Sequence, residues 1–367
     1  MGIFELPDKN AAAHRVVNNG KIFSALGYQT VFLGAVKGEH FIGIRKSSYD
    51  ENVYEEAYPI GVKDWSLHMM DTKNIEAVIE KYPDTLLVIV YNVPLVTYNA
   101  IKKCFSKKGI KVAYDCTEWN DYTVGSLLKR LYKKRDAQLV QTKLHKCCDD
   151  IIVISSIMEE QYQGKNILKL PPLVDVEDQI WHQKRISHNG VFEFCFAGTV
   201  VNKERVDSII KAFLTLNRQD VRLRIIGITN EEYRKIYGID GVDTMDKQIQ
   251  FMGRVSHKES IKYVLSCDCY VFIREKTLQN QAGFPTKFTE AYTCGVPIIA
   301  SDVSDIVDYS NESRVTIINS TTCEKIREAM LMSIELCGKF SHPKRIINTF
   351  DYHQYLRKTE KWISRIR

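Results

Sequence analysis

Apolar runs rich in Val, Ile, Phe and Tyr alternate with longer stretches of helical periodicity along almost the whole chain. That rhythm constrains the fold more than any other feature. A strand that rejoins its own sheet through a crossover helix lies parallel to its predecessor. In the first half the spacing predicts strands at 30–34 (TVFLG), 85–92 (TLLVIVYN), 111–115 (KVAYD) and 150–155 (DIIVIS). In the second half it predicts strands at 192–198, 221–227, 249–253, 269–273, 297–301 and 315–319. A helix over 10–27 stops at Gly27, where a glycine tolerates the left-handed backbone of a helix end. Ser256-x-x-Glu259 and Thr321-x-x-Glu324 have capping-box spacing and mark two further helix starts. The opening residues MGIFELPD leave room for a first strand of only three or four residues, by truncation or because that strand is short.

The rhythm breaks once. Residues 165–191 contain Pro171-Pro172 and then a polar stretch without periodicity, which reads as a connection between two domains. A chain of 367 residues suits two domains. The expected division is a first domain over 1–172, a linker over 173–190 and a second domain over 191–351. The amphipathic segment 352–367 is expected to pack back on the first domain. The fold class is α/β, with two Rossmann-like domains whose parallel sheets face each other across a cleft. Ligands of open α/β sheets bind outside the carboxyl ends of the strands, so the cleft is where chemistry is expected.

Composition narrows the function by exclusion. A net charge of +6 spread over 51 basic and 45 acidic residues is too dilute for a nucleic-acid binder, which carries dense basic stripes. Two local basic runs, KKCFSKKGIK (102–111) and KRLYKKR (129–135), read either as solvated helix faces or as a patch facing anionic lipid headgroups. Ten cysteines occur without a CxxC pair, so neither a zinc site nor a disulfide framework is indicated, and a reducing cytoplasm is expected. No run reaches about 20 apolar residues and no signal-peptide layout opens the chain. The expected location is cytoplasmic, with peripheral contact at the inner face of the plasma membrane left open. Oligomeric state is not legible. The dinucleotide pattern GxGxxG and the phosphate loop GxxxxGK[ST] are both absent, which removes most support for hydride transfer and for phosphate-loop chemistry.

The segment QAGFPTKFTEAYTCGVPIIASD (281–302) is more specific. Arg274 and a loop follow the strand at 269–273, and Pro285 then stands near the first turn of a helix. Amides at a helix N-terminus bind anions, and Lys287 would add a full charge beside them. Glu290 lies three residues on, along the same face. An ordinary Lys–Glu pair on a solvent-facing helix is the competing reading. Gly198, Gly227 and Gly253 each end a strand, which strand-to-helix turns favour with or without a ligand. In the first half, Asn92, Asp115 and Glu118 follow strands. The two acids could serve as a base, as ligands for acceptor hydroxyls, or as a helix cap with a first-turn acid. His14 is either structural or directed at the cleft.

With these residues in view, GFPTKFTEAYTCGVPIIASD resembles the donor-binding segment of GT-B glycosyltransferases, close to family 4 and its bacterial surface and capsular polysaccharide relatives. FCFAGTVVNKERVDSIIKAF, VRLRIIG, IQFMGRVSHKESIKYVLSCDCYVFI and, earlier, CDDIIVISSIMEEQY and ILKLPPLVD are similar in the same order, so the likeness spans nearly the whole chain. The resemblance implies a hexosyltransferase moving a sugar from a uridine- or guanosine-diphosphate donor to a glycan or lipid-linked acceptor, with retention of configuration and no required cofactor or metal. It implies catalytic roles in charge stabilisation for Lys287, Arg274 and Arg254. Donor contacts are implied for Gly198, Lys203, Gly283, Phe284, Thr286, Lys287 and Glu290, the last at the ribose. His14, Asn92, Asp115 and Glu118 are the acceptor-side candidates. Two departures stand out. Ala282 occupies the place of the family's other glutamate, and Thr199 and Glu204 fall where an Arg and a Lys are usual, with Lys203 and Arg205 flanking the second. A shift of the phosphate charges to Arg274 and Lys287 is the expected explanation. The competing functions are a GT-B sugar-nucleotide epimerase or hydrolase, and a non-catalytic GT-B partner subunit.

Overall fold

The computed structural model describes the chain apart from residues 3, 5–10, 37–42, 47–52, 60–79, 120–126, 188–189, 199–202, 239–246, 311–313, 338–345 and 367. It divides into unit 1, Met1–Leu173 with Asp351–Arg367, and unit 2, Val174–Phe350.

Unit 1 opens with helix α1 (Ala11–Ala25), followed by strands β1 (Thr30–Val36), β2 (Gly43–Lys46) and β3 (Val53–Pro59). Then come β4 (Leu87–Tyr91), α2 (Leu95–Ser106), β5 (Lys111–Cys116), α3 (Leu127–Cys147), β6 (Asp150–Val153), α4 (Ser156–Gln161) and β7 (Asn166–Lys169). β4-β5-β6-β7 form a parallel sheet, while β1 pairs parallel with β3 and β3 antiparallel with β2. The strands β2 and β3 have no counterpart in the sequence reading. β7 lies inside the stretch read there as a connection, because four residues ahead of a Pro-Pro pair carry too little pattern to show.

The short first strand reduces to a single bridge between Gly2 and Tyr91. Gly2 N–H donates to Leu33 O at 3.2 Å and Tyr91 N–H to Met1 O at 2.8 Å, so these two residues join the β1 and β4 edges. α1 lies on the sheet with Ile22 and Phe23 against Ala113, Ile152 and Leu168. The C-terminal helix closes the same cluster with Trp362, whose Nε1–H donates to Asn166 O at 2.9 Å.

Unit 2 contains β8 (Phe192–Ala197), α5 (Val206–Leu214), β9 (Val221–Ile226), α6 (Asn230–Tyr237), β10 (Ile249–Phe251) and α7 (His257–Ser266). β11 (Cys269–Phe272), α8 (Leu278–Ala282), α9 (Thr286–Thr293), β12 (Ile298–Ser301), β13 (Val315–Ile318) and α10 (Cys323–Cys337) follow. The last helix of unit 1 is α11 (Leu356–Ile363). The six described strands of unit 2 are parallel, in the order β10-β9-β8-β11-β12-β13. Counted within the unit this is 3-2-1-4-5-6, the doubly wound order, and the winding reverses between β8 and β11. Phe194, Leu223, Ile225, Val271 and Ile299 are fully buried, as expected for central parallel strands covered by helices on both faces.

Residues 174–190 are not a bare tether. Trp181 is buried in a short 3₁₀ turn, Gln183 Nε2 donates to Lys258 O at 2.9 Å, and Ile186 N–H donates to Ser266 Oγ at 2.9 Å, all within unit 2. The capping box at Ser256 and Glu259 is present, and a second one forms at Thr229 and Glu232. At α10 the expected cap shifts by one residue. Thr322 Oγ1 accepts from Lys325 N–H at 3.5 Å, because the Thr321 hydroxyl is drawn to Glu275 Oε1 at 3.0 Å.

Candidate functional site

The reversal between β8 and β11 is where an open sheet of this order leaves a crevice at its carboxyl edge. Three charged side chains meet there. Lys287 Nζ lies 2.7 Å from Glu204 Oε1, and Arg274 Nη2 lies 2.6 Å from the same oxygen. Each arrives from a different element: Arg274 from just beyond β11, Lys287 from the first turn of α9, and Glu204 from the segment ahead of α5. That segment is fixed by backbone pairing, since Glu204 bridges Arg274 and Arg205 N–H donates to Ile273 O at 2.9 Å. The Arg205 guanidinium also bonds Glu275 and Asp207, pinning the loops after β8 and β11 to each other.

The cations stand on aromatic faces supplied by the strands beneath. Lys287 Nζ is 5.3 Å from the Phe196 ring centre and Arg274 Cζ is 4.9 Å from that of Phe272. Gly198 ends β8 at φ +141°, and a Cβ there would lie 1.9 Å from Lys287 Cε. The backbone turn therefore favours glycine here, and any larger residue would also push the Lys287 side chain aside.

The electrostatics follow from burial. Glu204 is 2 % exposed. Burial opposes its ionisation, but the charges of Lys287 and Arg274 outweigh it and hold the carboxyl below its ordinary 4.5. Burial pulls the Lys287 ammonium down from 10.5, with Glu204 pulling it back up. Arg274 Nε is a buried donor without an acceptor among the described residues. An orphaned donor on one of two neighbouring cations offers an anion a charge-assisted hydrogen bond.

Glu290 lies one turn beyond Lys287 on α9, with Oε1 3.0 Å from Nε2 of His257 at the start of α7. A plain i, i+3 pair on a solvent-facing helix does not account for these long-range partners. His257 escaped the sequence reading, although its position just after β10 at the carboxyl edge was visible within the capping box. Phe284 packs its ring against Phe288, Tyr309 and Phe350, with centroids 5.8–6.4 Å away, so only its backbone could face a ligand. Gly283 caps the end of α8, Pro285 precedes α9 without a side-chain cap, and Thr286 is the first residue of that helix. Lys203 is half-buried one residue before Glu204, and Thr199 lies outside the described residues. Arg254 is exposed in the turn after β10, where its charge acts on Glu232. The sheet order sets it two strands from Gly198, about 10 Å at ordinary strand spacing.

In unit 1, Asp115 changes meaning. Its carboxylate is buried, accepts from Arg15 Nε and Nη2 at 2.7–3.2 Å, and takes a further bond from Asn19 Nδ2 at 3.3 Å. Arg15 also donates to Leu170 O at 2.9 Å. The acid is thus a clamp holding α1 to the sheet, and neither a free base nor a helix cap. Asn92 follows β4 at φ +45°, its N–H donating to Asp115 O at 3.0 Å. Glu118 is exposed after β5, and His14 is half-buried on α1. A cavity of about 1300 Å³ opens in unit 1 between β1 and β4, lined by Phe23, Phe32, Leu33, Ile89 and Ile152; it holds no part of the Lys287 group. None of the nine described cysteines forms a disulfide, and burial pushes the Cys116 and Cys148 thiols up to about 12, away from the thiolate form a nucleophile needs. Among the described residues no helix is long and apolar enough to cross a membrane.

Comparison with solved structures gives the architecture its class. Sucrose-phosphate synthase from Thermosynechococcus elongatus aligns at a TM-score of 0.69 and 13% identity, over 99% of this chain and 97% of its own. A glycosyltransferase from Rickettsia africae aligns at 0.69 and 12%, over 99% and 97%. The Anabaena protein HepE, in complex with UDP-glucose, aligns at 0.68 and 10%, over 99% and 98%. The fold is GT-B, two parallel-sheet Rossmann-like domains. Residues 177–336, nearly all of unit 2, match the family model described as glycosyl transferases group 1, and that match supports a glycosyltransferase as the enzyme class. A search of curated protein sequences finds no match.

Proposed function

We propose that this protein is a retaining hexosyltransferase of the family 4, surface-polysaccharide type. It takes a uridine- or guanosine-diphosphate hexose as donor and a glycan or lipid-linked acceptor, in the cytoplasm at the inner face of the plasma membrane. The observation that carries the reading is the convergence of Lys287 and Arg274 at the strand-order reversal of unit 2, one of them with an unused buried donor. A departing nucleoside diphosphate develops negative charge, and fixed cations in a dry crevice stabilise it without rearranging. That duty needs no metal. Glu290, held by His257, is suited to the ribose hydroxyls, and the amides at the start of α9 to the diphosphate. The UDP-glucose complex of the Anabaena protein favours uridine as the base. On the acceptor side the reading uses Asn92, Glu118 and His14, with Asp115 acting through Arg15 as a positioning residue.

Calorimetric titration of UDP and GDP into the full chain tests this. Micromolar binding is expected, weakened at least about tenfold in both Lys287→Ala and Arg274→Gln. No binding of either nucleotide to the wild type would sink the proposal. Donor turnover without acceptor would point to a hydrolase or epimerase, and binding without turnover under any acceptor to a partner subunit.

A further inference from the structure

Helix α3 changes character along its length. Ala137, Val140 and Leu144 are buried at ordinary helical spacing. Before them, residues 130–135 are all exposed, so more than a full turn meets solvent on every face. This segment is apolar and basic at once. Leu127, Leu131 and Tyr132 are 70%, 56% and 58% exposed, and Arg130, Lys133, Lys134 and Arg135 stand among them. No acid occurs from 127 to 135. The first one, Asp136, is turned inward, its Oδ1 accepting from Leu95 N–H at 3.0 Å. Val96, the next residue on α2, adds another apolar side chain at 54% exposure.

Neither folding nor helix stability accounts for this. Exposed leucines contribute no burial. The first described turn of α3 also lacks the acids that favour a helix start. The other basic run supplies the contrast. There Lys102 Nζ donates to Cys147 O at 2.5 Å, and Lys103, Lys107 and Lys108 are exposed with no large exposed apolar residue between 102 and 111. Solvation explains that run, but not the start of α3.

We propose that the first turns of α3 dock on the surface of an anionic lipid bilayer. Leu127, Leu131 and Tyr132 enter the boundary between headgroups and acyl chains, and the four cations pair with anionic headgroups. α3 follows β5, so its start lies toward the carboxyl edge of the unit 1 sheet. Docking there brings a membrane-borne acceptor to the edge where an open sheet receives its ligand. That last consequence rests on the proposed transferase reading; the docking itself does not.

The test is sedimentation of the full chain with vesicles of phosphatidylcholine alone and of phosphatidylcholine mixed with phosphatidylglycerol. Binding is expected only to the mixed vesicles. It should weaken at least about tenfold in Lys133→Glu/Lys134→Glu and in Leu131→Ser/Tyr132→Ser, and stay unchanged in Lys107→Glu/Lys108→Glu. Absence of binding to mixed vesicles, or equal binding by all variants, overturns the proposal. So does self-association in solution that the Leu131→Ser/Tyr132→Ser variant abolishes, since the face would then cover a second copy. UDP titration of the same preparations reports separately on the donor reading.

Discussion

Replacing Glu204 with Gln keeps the shape of the side chain and removes only its charge. In the wild type Lys287 Nζ and Arg274 Nη2 both touch Glu204 Oε1, at 2.7 and 2.6 Å, so they stand no more than about 5.3 Å apart. At an effective dielectric constant near 20, two unit charges at that separation repel by about 3 kcal/mol. Lysine could escape the repulsion by losing its proton, but at pH 7 that costs close to 5 kcal/mol against its unperturbed titration. Lys287 therefore keeps its charge, and Glu204→Gln retains the repulsion while removing the attraction that offsets it. The variant should lose about 3 kcal/mol at pH 7, near the lower end of what one-sided breaking of a buried ion pair costs. The sign with pH follows from the carboxyl, which folding holds below 4.5. Its contribution is complete above pH 4.5 and disappears as pH falls through the folded-state value, where the wild type carries a neutral acid of its own. The gap between wild type and Glu204→Gln should thus close in acid. Urea unfolding followed by circular dichroism at pH 7 and at pH 3 measures both values. A loss under about 0.5 kcal/mol at pH 7, or a gap that persists unchanged at pH 3, would refute the electrostatic account.

Two further outcomes are expected. Ala282→Glu installs the family's missing carboxylate at a fully buried position on α8; it should destabilise by at least about 3 kcal/mol and bring no gain in UDP affinity, whereas tighter binding at unchanged stability would show that the pocket has room for it. Arg15→Met strands the buried Asp115 carboxylate and should cost about 3–5 kcal/mol in urea unfolding, with much of the loss recovered in Arg15→Met/Asp115→Asn.

The strands of unit 2 were legible because each is an apolar or alternating apolar run bounded by its own turn residues. The predicted run at 221–227 and the observed Val221–Ile226 differ by one residue. β2, β3 and β7 were not legible. GIRK and NILK are four-residue strands, and VYEEAYP alternates only in part. The donor-side motif could be read as a helix start with a charge beside it, since capping and dipole arguments are local. What local pattern could not give is partnership across the chain. Glu204 read as a missing cation, when it is the counter-ion 83 residues from Lys287 and 70 from Arg274. Asp115 read as a candidate acid, with Arg15 lying 100 residues away. Long-range ion pairs are set by sheet order, and sheet order is not written in any one segment.

That partnership also explains why a carboxylate can sit in a site meant for anions. Alone, Lys287 and Arg274 would repel each other and spread apart. Glu204 prevents this, and it bonds each of them through a single oxygen. Arg274 Nε stays uncommitted among the described residues. A diphosphate that approached the pair would meet cations already fixed in place and already charged, so little of its binding energy would be spent on ordering them. The arrangement trades attraction for readiness: the trio carries a net charge of +1 rather than +2, which weakens the hold on any anion but keeps the geometry ready for the charge that develops during transfer. Affinity for a nucleoside diphosphate should therefore depend on ionic strength less steeply in the wild type than in Glu204→Gln. Calorimetry at two salt concentrations decides the matter, and equal salt slopes would contradict it.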